Sequence, residues 1–447
     1  MSNSRRSFIK KSAAGIAAVS VGGILPGFSA RSYSSILGSN DRLLVAVMGV
    51  NSRGKALSET FSKQDNVEII YICDVDSRAE AACSDSIEKL GKKRPKAAPD
   101  FRKALDDNKL DAMVIAAPDH WHAPAAILAS KAGKHVYLEK PCSHNPNEGE
   151  LLVAAAEKYK NVIQMGNQRR SFPNVAAGIA ELKSGIIGRP YFAKTWYTNN
   201  RPSIGHGKEI PVPSWLDYEL WQGPAPRKPY KDNLIHYNWH WFWNWGTGEA
   251  LNNGTHFVDL GRWGLGVDYP VKVSSSGGRY RYNDDWETPD TQVISMEFDN
   301  NTGMAWEGIS CNGRPIEGSI VGVIFSGENG SLRIDAGNAY SVFDISGKLI
   351  KEVKADTVID SRNLSNPSGG LDAIHIVNFL DAIRKGNKLN ADILSGHKST
   401  LLVQLGNIAQ RTGKTLNIDP SNGHILRDPV SEKLWSREYQ KGWEPVI

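Results

Sequence analysis

Residues 43–54 decide the fold, and they read Leu43-Leu44-Val45-Ala46-Val47-Met48-Gly49-Val50-Asn51-Ser52-Arg53-Gly54. An apolar run that ends in a glycine turn predicts a buried parallel strand leading into a helix. The turn follows the G-x-G-x-x-G spacing of dinucleotide-binding folds, with Asn51 in place of the middle glycine. Gly49 allows the tight turn, Gly54 allows close helix–strand packing, and asparagine tolerates left-handed backbone angles. We therefore expect this turn, with Ser52 and Arg53, to hold a pyrophosphate at the helix N-terminus.

A second predicted strand, Val67 to Cys73, ends beside Asp74. Asp74 stands about 20 residues after Gly54, where NAD-binding folds place the carboxylate that binds the ribose 2′-hydroxyl. Asp76 is a competing candidate, and a solvated aspartate at a strand end is the simplest alternative. Because a carboxylate repels a 2′-phosphate, Asp74 favours NAD over NADP, a preference that Arg78 could soften.

The composition is that of a globular protein. The chain has 447 residues, 40% of them hydrophobic and 23% charged, which allows two or three domains. The net charge of +5 is modest, and no basic stripe indicates a nucleic-acid partner. The cysteines lack metal-ligand spacing, so we expect free thiols at Cys73, Cys83, Cys142 and Cys311.

The N-terminus has the form of a targeting segment. Ser4-Arg5-Arg6-Ser7-Phe8-Ile9-Lys10 precedes an apolar run over residues 13–25, which is typical of a twin-arginine signal. The run is too short and glycine-rich for a membrane span. We expect a signal and linker over residues 1–37, export by the twin-arginine machinery, and a periplasmic or otherwise exported protein. Because that route carries folded proteins, it agrees with reduced cysteines and a cofactor loaded before export.

The pattern of predicted strands and helices changes once along the rest of the chain. Strands and helices alternate over residues 40–165, which predicts an α/β fold with a doubly wound parallel sheet, the Rossmann domain. From about residue 191 the pattern becomes strand-like, and two amphipathic helices follow at 370–385 and 397–412. The predicted later strands are 191–198, 271–277, 291–298, 304–309, 319–325, 331–335 and 339–345.

Several motifs together resemble the Gfo/Idh/MocA family, which includes glucose–fructose oxidoreductase and inositol dehydrogenase. They are the glycine turn, Cys73-Asp74, Ala117-Pro118-Asp119-His120-Trp121-His122, Glu139-Lys140-Pro141, Gly254-Thr255-His256-Phe257-Val258-Asp259 and the tail from Asn378 to Arg384. The resemblance implies that residues 166–447 form a C-terminal α/β domain on a large open, mostly antiparallel sheet. Relatives often form homo-oligomers through that sheet, so we expect one here.

The resemblance also assigns cofactor contacts and one catalytic residue. In such proteins the lysine of the Glu-Lys-Pro motif lies beside the nicotinamide and the substrate hydroxyl, which makes Lys140 an active-site residue. A lysine at the carboxyl end of a parallel strand faces the ligand crevice, where desolvation lowers its pKa; a surface lysine is the plain alternative. The expected cofactor contacts, beyond the turn and Asp74, are Ala117, Pro118, His122, Glu139, Lys140 and Gln168.

The second catalytic motif departs from the family pattern. Relatives carry Asp-x-Gly-x-His, whereas this chain reads Asn252-Asn253-Gly254-Thr255-His256. His256 matches the histidine that accepts the hydroxyl proton, and a neutral imidazole suits that task; a buried helical histidine is the alternative. Asn252 can bind a hydroxyl but cannot take a proton. Lys140 and His256 are then expected to divide the acid–base work.

Substrate contacts are expected in two places. Arg169 follows the strand that leaves the first domain, in a crossover that contacts ligands in relatives; a linking loop is the alternative. His236, Tyr237 and His240 belong to an aromatic stretch with tryptophan at every second position from Trp239 to Trp245. In a strand these indoles would share one face and suit a sugar ring, although a core or an interface also favours them. A rim over the active-site mouth is predicted for residues 202–233.

No metal site is predicted. The pairs His120/His122 and His236/His240 have no acidic or sulfur ligands at supporting spacing, and hydride transfer to a nicotinamide needs no metal. His120 and His122 are interpreted as pocket residues, on the loop after the predicted strand that ends at Ala117.

Three functions follow from these residues. The first is an exported NAD-dependent oxidoreductase that acts on a secondary alcohol of a sugar, glycoside or cyclitol and keeps its cofactor tightly bound. The second is a redox glycosidase like those of glycoside hydrolase family 109, with no net redox change. The third is a catalytically silent sugar-binding protein, which the loss of the aspartate at Asn252 keeps open.

Overall fold

A computed structural model describes residues 42–355 and 370–447 of the chain. The expected twin-arginine signal lies outside the described residues. Two sheets carry the described chain. The strands of the first sheet are β1 (Leu43–Met48), β2 (Val67–Cys73), β3 (Lys96–Ala97), β4 (Ala112–Ile115), β5 (His135–Leu138) and β6 (Ile163–Met165). Its helices are α1 (Arg53–Ser62), α2 (Ser77–Lys89), α3 (Phe101–Leu105), α4 (Asp119–Lys131) and α5 (Pro146–Tyr159).

The first sheet is the predicted Rossmann sheet. Its strands are all parallel, in the order β3-β2-β1-β4-β5-β6. Strands β1 and β4 are buried on both faces, as continuous apolar runs in a parallel sheet require. The strand order reverses between β1 and β4, and such a switch point opens a crevice at the carboxyl ends of the strands.

The second sheet is large and open. A 3₁₀ turn (Gln168–Ser171) and α6 (Pro173–Lys183) lead into it. Its strands are β7 (Pro190–Thr198), β8 (Lys272–Gly278), β9 (Thr291–Glu297), β10 (Gly303–Ile309), β11 (Val321–Gly327), β12 (Gly330–Ile334), β13 (Tyr340–Asp344), β14 (Leu349–Val353) and β15 (Leu416–Asn417). Strands β7 and β10 pair in parallel and the other neighbours pair antiparallel, so the predicted mixed, mostly antiparallel sheet is confirmed.

Helices cover one face of this second sheet. The remaining helical segments are α7 (Tyr218–Gln222), a 3₁₀ turn (Asn238–Trp241), a π-helical turn (Ala250–Gly254), α8 (Thr255–Leu265), α9 (Leu371–Lys385), α10 (Ile393–Thr412) and α11 (Pro429–Glu432). Helices α6, α8 and α10 share a core with β7, β9 and β11. Burial alternates along β9 and β10, which leaves the other face partly open.

Helix α9 returns to the first sheet. Phe379 packs edge-on against Phe61 and Tyr137, with ring centroids 6.3 and 5.8 Å apart. The chain after residue 370 therefore stabilises the Rossmann sheet as well as the second sheet.

Two further features concern the described residues alone. The four cysteines are buried and free. No described helix combines the length and the apolar character that crossing a membrane requires.

Candidate active site

A crevice opens at the carboxyl ends of the parallel strands, at the switch point between β1 and β4, and has a volume of about 300 Å³. Most of the predicted site residues line it: Gly49, Asn51, Ser52, Arg53, Asp74, Ala117, Pro118, His122, Glu139, Lys140, His236, Tyr237, His240 and Asn252. Four predicted site residues are not part of this lining: Gly54, Gln168, Arg169 and His256.

The glycine turn has the backbone geometry that its spacing predicts. Gly49 has a φ of +80°, and a Cβ there would lie 2.6 Å from the backbone of Ala117. A Cβ on Gly54 would lie 1.9 Å from the carbonyl oxygen of Gly49. Both positions therefore require glycine. Asn51 is not among the residues with positive φ, so it replaces the usual glycine without backbone strain.

The turn leaves the start of α1 open. Helix α1 begins at Arg53, the Ser52 side chain makes no capping hydrogen bond, and the first turn contains no acidic residue. The helix N-terminus thus presents N–H groups to an anion at the edge of the crevice. This cradle without side chains, next to the carboxylate of Asp74, fits the pyrophosphate and ribose of a dinucleotide.

The structure separates the two candidate ribose carboxylates. Asp74 lines the crevice and accepts hydrogen bonds from the backbone N–H groups of Val50 (2.6 Å) and Asp76 (2.9 Å). Burial raises the pKa of Asp74, and those hydrogen bonds oppose the rise. Asp76 caps α2 and pairs with Arg78 and His236, each at 2.8 Å. Burial raises the pKa of Asp76, but these hydrogen bonds outweigh it and hold the pKa at about 2. Asp74 is the carboxylate available to a ligand.

Lys140 and Asn252 meet in the crevice although they are 112 positions apart. The Lys140 Nζ donates to the backbone carbonyl of Asn252 at 2.5 Å and to its Oδ1 at 3.1 Å. Burial lowers the pKa of Lys140, while the carboxylates of Glu139 and Asp119 raise it. The ammonium therefore lies at the crevice wall, held by an amide rather than by a carboxylate.

His256 lies in α8, one helical turn after Asn252, and is 2% exposed. Its Nδ1 has no hydrogen-bond partner among the described residues. Burial holds the pKa of His256 well below its usual range, and the charges of Lys140 and Arg169 lower it further. The ring is therefore a neutral base with one nitrogen unused.

Aromatic residues form the outer wall of the crevice. Tyr237 is 45% exposed and has a φ of +81°, a strained conformation for a bulky residue. The His240 ring stacks on Trp239, with centroids 3.6 Å apart and planes at 18°. Burial lowers the pKa of His240 well below its usual range, so the ring is neutral. A flat, uncharged aromatic surface therefore faces the Lys140 side of the crevice.

Comparison with known proteins places this geometry in a family. A family model described as "Oxidoreductase family, NAD-binding Rossmann fold" matches residues 43–167. A second model, "Oxidoreductase family, C-terminal alpha/beta domain", matches residues 196–312 and 317–445. The chain belongs to the Gfo/Idh/MocA oxidoreductase family. The solved structure of levoglucosan dehydrogenase, in complex with NADH and levoglucosan, has the same fold, with a TM-score of 0.65 at 18% identity over 84% of this chain and 99% of that one.

Curated relatives are similar over shorter stretches. A glycosyl hydrolase family 109 protein of Saccharopolyspora erythraea is 27% identical over 227 residues, which are 47% of this chain and 49% of that protein. An alpha-N-acetylgalactosaminidase of Shewanella oneidensis is 33% identical over 131 residues, 28% of each chain. The chain spans about half or less of the length of these curated relatives.

Three side chains that were predicted to contact the cofactor or the substrate have protein partners in this structure. The guanidinium of Arg53 pairs with Glu139 (2.8 Å) and Asp372 (2.5 Å), so it links β5 to α9 and leaves anion binding to the backbone. Gln168 donates to Glu139 at 2.9 Å from behind the crevice wall. Arg169 is a correction, because its guanidinium donates to the backbone carbonyls of Asp335 and Ala336, away from the crevice.

The alternating tryptophans would share one face only in a strand, and this stretch does not form one. Residues Asn238–Trp241 form a 3₁₀ turn, so alternate residues do not share a face. Trp241 is buried against Trp286, with ring centroids 3.9 Å apart, and Trp245 is also buried. Of the four alternating indoles, Trp239 lines the crevice. The backbone curls because the stretch packs around its own aromatic rings, a tertiary effect that the alternation does not encode.

The predicted loop after β4 is also wrong, because α4 already begins at Asp119. His122 lines the crevice, and its Nδ1 and Nε2 lie 2.5 and 2.7 Å from the carbonyl oxygens of Pro141 and Ala117. His120 is not a pocket residue, since its ring is buried against the carbonyl oxygen of Trp221 at 2.9 Å. Within the described ranges, no three His, Cys, Asp or Glu side chains are grouped as metal ligands would be.

Sequence reasoning missed two carboxylates near Lys140. Asp119 lines the crevice and accepts a hydrogen bond from Thr247 at 2.5 Å, and burial raises its pKa. Its position within the motif 117–122 was the available signal. Glu249 is 2% exposed and lies three residues before Asn252, outside every motif considered. The predicted rim over 202–233 does contribute to the wall, through Leu220 and Trp221.

Proposed function

We propose that this protein is an NAD-dependent oxidoreductase that oxidises or reduces a secondary alcohol of a sugar, glycoside or cyclitol. The observation that carries the proposal is the position of Lys140. Its Nζ lies in the same crevice as the glycine turn and Asp74, held at 2.5 Å by the carbonyl of Asn252. A dinucleotide cradle and a partly buried cation that share one crevice support chemistry on a hydroxyl group.

The residues divide the work between them. Bound NAD supplies the hydride acceptor. Lys140 binds the substrate oxygen and stabilises the negative charge that develops there. His256 lies behind the crevice wall one helical turn after Asn252; it is neutral, its Nδ1 has no hydrogen-bond partner among the described residues, and it accepts the hydroxyl proton. Asn252 orients Lys140 and offers its amide to a neighbouring hydroxyl. Asp74 favours NAD over NADP because its carboxylate repels a 2′-phosphate.

The crevice is also built to enclose a nucleotide, which supports a tightly held cofactor. The loop that carries Asp74 is bound to the segment after β7 through the backbone bonds Ser77 N–H to Trp215 and Asp217 N–H to Val75, each 3.0 Å long. The Arg78 guanidinium lies 3.4 Å over the Trp215 ring. We add two proposals that rest on the sequence alone: export through the twin-arginine pathway, and homo-oligomers formed through the open sheet.

A second candidate is a redox glycosidase, in which a sugar is oxidised, loses its aglycone and is reduced again. The similarity to proteins named as glycosyl hydrolase family 109 and alpha-N-acetylgalactosaminidase favours it. A catalytically silent sugar-binding protein is a third candidate. It is supported by the asparagine at position 252, whose side chain cannot take a proton.

One experiment separates the three candidates. The nucleotide released from the purified protein is identified, and the protein is incubated with free sugars, cyclitols and aryl glycosides. Reduced nicotinamide or a keto-sugar without aglycone release supports the oxidoreductase. Aglycone release without net reduction overturns it in favour of the glycosidase. If the protein shows neither turnover nor bound nucleotide, the result supports the silent sugar-binding protein. Lys140→Met is the matched inactive control, since methionine keeps the unbranched side chain up to the ε position and removes the ammonium.

A further inference from the structure

Glu249 is a buried carboxylate that no motif accounts for. It directly precedes the π-helical turn Ala250–Gly254 and is 2% exposed. Its Oε1 accepts hydrogen bonds from the side-chain amides of Asn252, at 3.3 Å, and of Asn253. Its Oε2 pairs with the Arg201 Nε at 2.5 Å. The carboxylate thus lies directly behind the amide that faces Lys140.

This contact fixes the orientation of Asn252. A carboxylate can only accept hydrogen bonds and an ammonium can only donate them. The Asn252 amide must therefore turn its Nδ2 to Glu249 and its Oδ1 to Lys140, at 3.1 Å. A neutral or shorter side chain at position 249 would lack the carboxylate, which can only accept hydrogen bonds and therefore selects this orientation of the amide.

Glu249 also contributes charge to the site. The groups that face Lys140 are Glu139 at the end of β5, Asp119 in α4, Glu249, and Arg53 in α1, with the neutral rings of His240 and His256 nearby. Burial lowers the pKa of Lys140, and the three carboxylates raise it. The groups that face Glu249 are Lys140, Arg201, Tyr197 and Cys311.

Resting on the proposed function, we propose that Glu249 is a positioning residue that replaces, from one helical turn earlier, the negative charge that Asn252 lacks. It orients the Asn252 amide and keeps the Lys140 side chain an ammonium directed into the crevice.

The test compares wild type, Glu249→Gln and the exchange variant Glu249→Gln/Asn252→Asp. Competitive labelling of the purified protein with acetic anhydride, read by mass spectrometry of the Lys140 peptide, gives the pH midpoint at which Lys140 becomes reactive. We expect the midpoint to fall in Glu249→Gln, because a negative charge is lost, and to return toward wild type in the exchange variant. With an active substrate, kcat should fall about tenfold or more and recover in the exchange variant, with KM nearly unchanged.

The controls keep the outcomes distinct. Glu307→Gln removes a carboxylate that pairs with Lys194 on the sheet, and it should leave the Lys140 midpoint unchanged. If Glu249→Gln does not fold because Arg201 is left unpaired, Arg201→Gln/Glu249→Gln serves as the background. An unmoved midpoint, or one that Asn252→Asp does not restore, overturns the proposal. The labelling experiment needs no substrate. If the wild-type protein turns over no sugar, the proposed function is contradicted, but the effect of Glu249 on Lys140 can still be measured.

Discussion

The two halves of the crevice are built by different means. The nucleotide half uses backbone: Gly49 and Gly54 lie in one turn, and a Cβ at either would overlap main-chain atoms. The substrate half uses side chains from distant parts of the chain, as Lys140 and Asn252 show with 112 positions between them. A site built from backbone atoms tolerates few substitutions in its turn. A site built from side chains can change its chemistry when one residue is replaced.

This difference explains how a family member can keep its cofactor site and alter its acid–base set. The asparagine at position 252 leaves the glycine turn and Asp74 untouched. In the other half, Lys140 is held by the amide of Asn252, which cannot take a proton. One fold thus supports several chemistries on the same nucleotide.

The largest expected effect lies in the substrate half. Lys140→Met removes the ammonium that binds the substrate oxygen, and we expect kcat to fall about 10³-fold, or about 4 kcal/mol of transition-state stabilisation. Nucleotide affinity, measured by quenching of tryptophan fluorescence, should change less than about threefold because the cradle is backbone. Lys158→Met, on the exposed face of α5, is the control. Equal activity of the two variants would contradict the catalytic role of Lys140.

The next effect lies in the nucleotide half. Gly54→Ala places a Cβ 1.9 Å from the Gly49 carbonyl oxygen, so the turn must open. We expect the affinity for NAD to fall about 10- to 100-fold, as overpacking by about 1–3 kcal/mol implies, with a lower Tm. A Cβ on Gly370 would meet no atom of the described residues within 4 Å, so Gly370→Ala serves as the control. Unchanged affinity in Gly54→Ala would mean that the turn does not hold the nucleotide.

Sequence reasoning reached the two halves to different depths. The turn, the position of Asp74 at the end of β2 and the alternation of strands and helices follow from short-range rules of backbone geometry and hydrophobic period, and the structure has them. Strands β7 to β13 lie close to their predicted ranges for the same reason. Strand β14 was not predicted, because its residues are exposed and carry no apolar alternation.

The errors fall where long-range packing decides. Arg169 resembles a ligand contact by its place after β6, yet it donates to carbonyls brought near by the second sheet. The tryptophan alternation would place four indoles on one face in a strand, but Trp241 packs on Trp286 and the backbone turns. Glu249 gave no signal, since its importance comes from contacts with Asn252 and Arg201 rather than from its neighbours in sequence.

A smaller effect distinguishes the two acids of the nucleotide half. Asp74→Asn keeps a hydrogen-bond acceptor and removes the charge, so we expect the affinity for NAD to fall about fivefold and the preference over NADP to narrow about tenfold. Binding titrations with both nucleotides measure this. Asp76→Asn keeps an oxygen that can cap α2 but removes the charge that pairs with Arg78 and His236, so it should lower Tm and leave the preference unchanged. If instead Asp76→Asn narrows the preference for NAD and Asp74→Asn does not, Asp76 is the carboxylate that binds the ribose.

The smallest effect concerns the aromatic wall. Trp239 lines the crevice and stacks on His240, whereas Trp243 lies outside it, under the guanidinium of Arg411 at 4.7 Å. Trp239→Ala should raise KM for the sugar about fivefold, the loss of about 1 kcal/mol of stacking, with kcat changed less than about twofold. Trp243→Ala should leave KM unchanged. If the two variants raise KM equally, the alternating indoles act together on the substrate, and the 3₁₀ turn at Asn238–Trp241 does not describe the working enzyme.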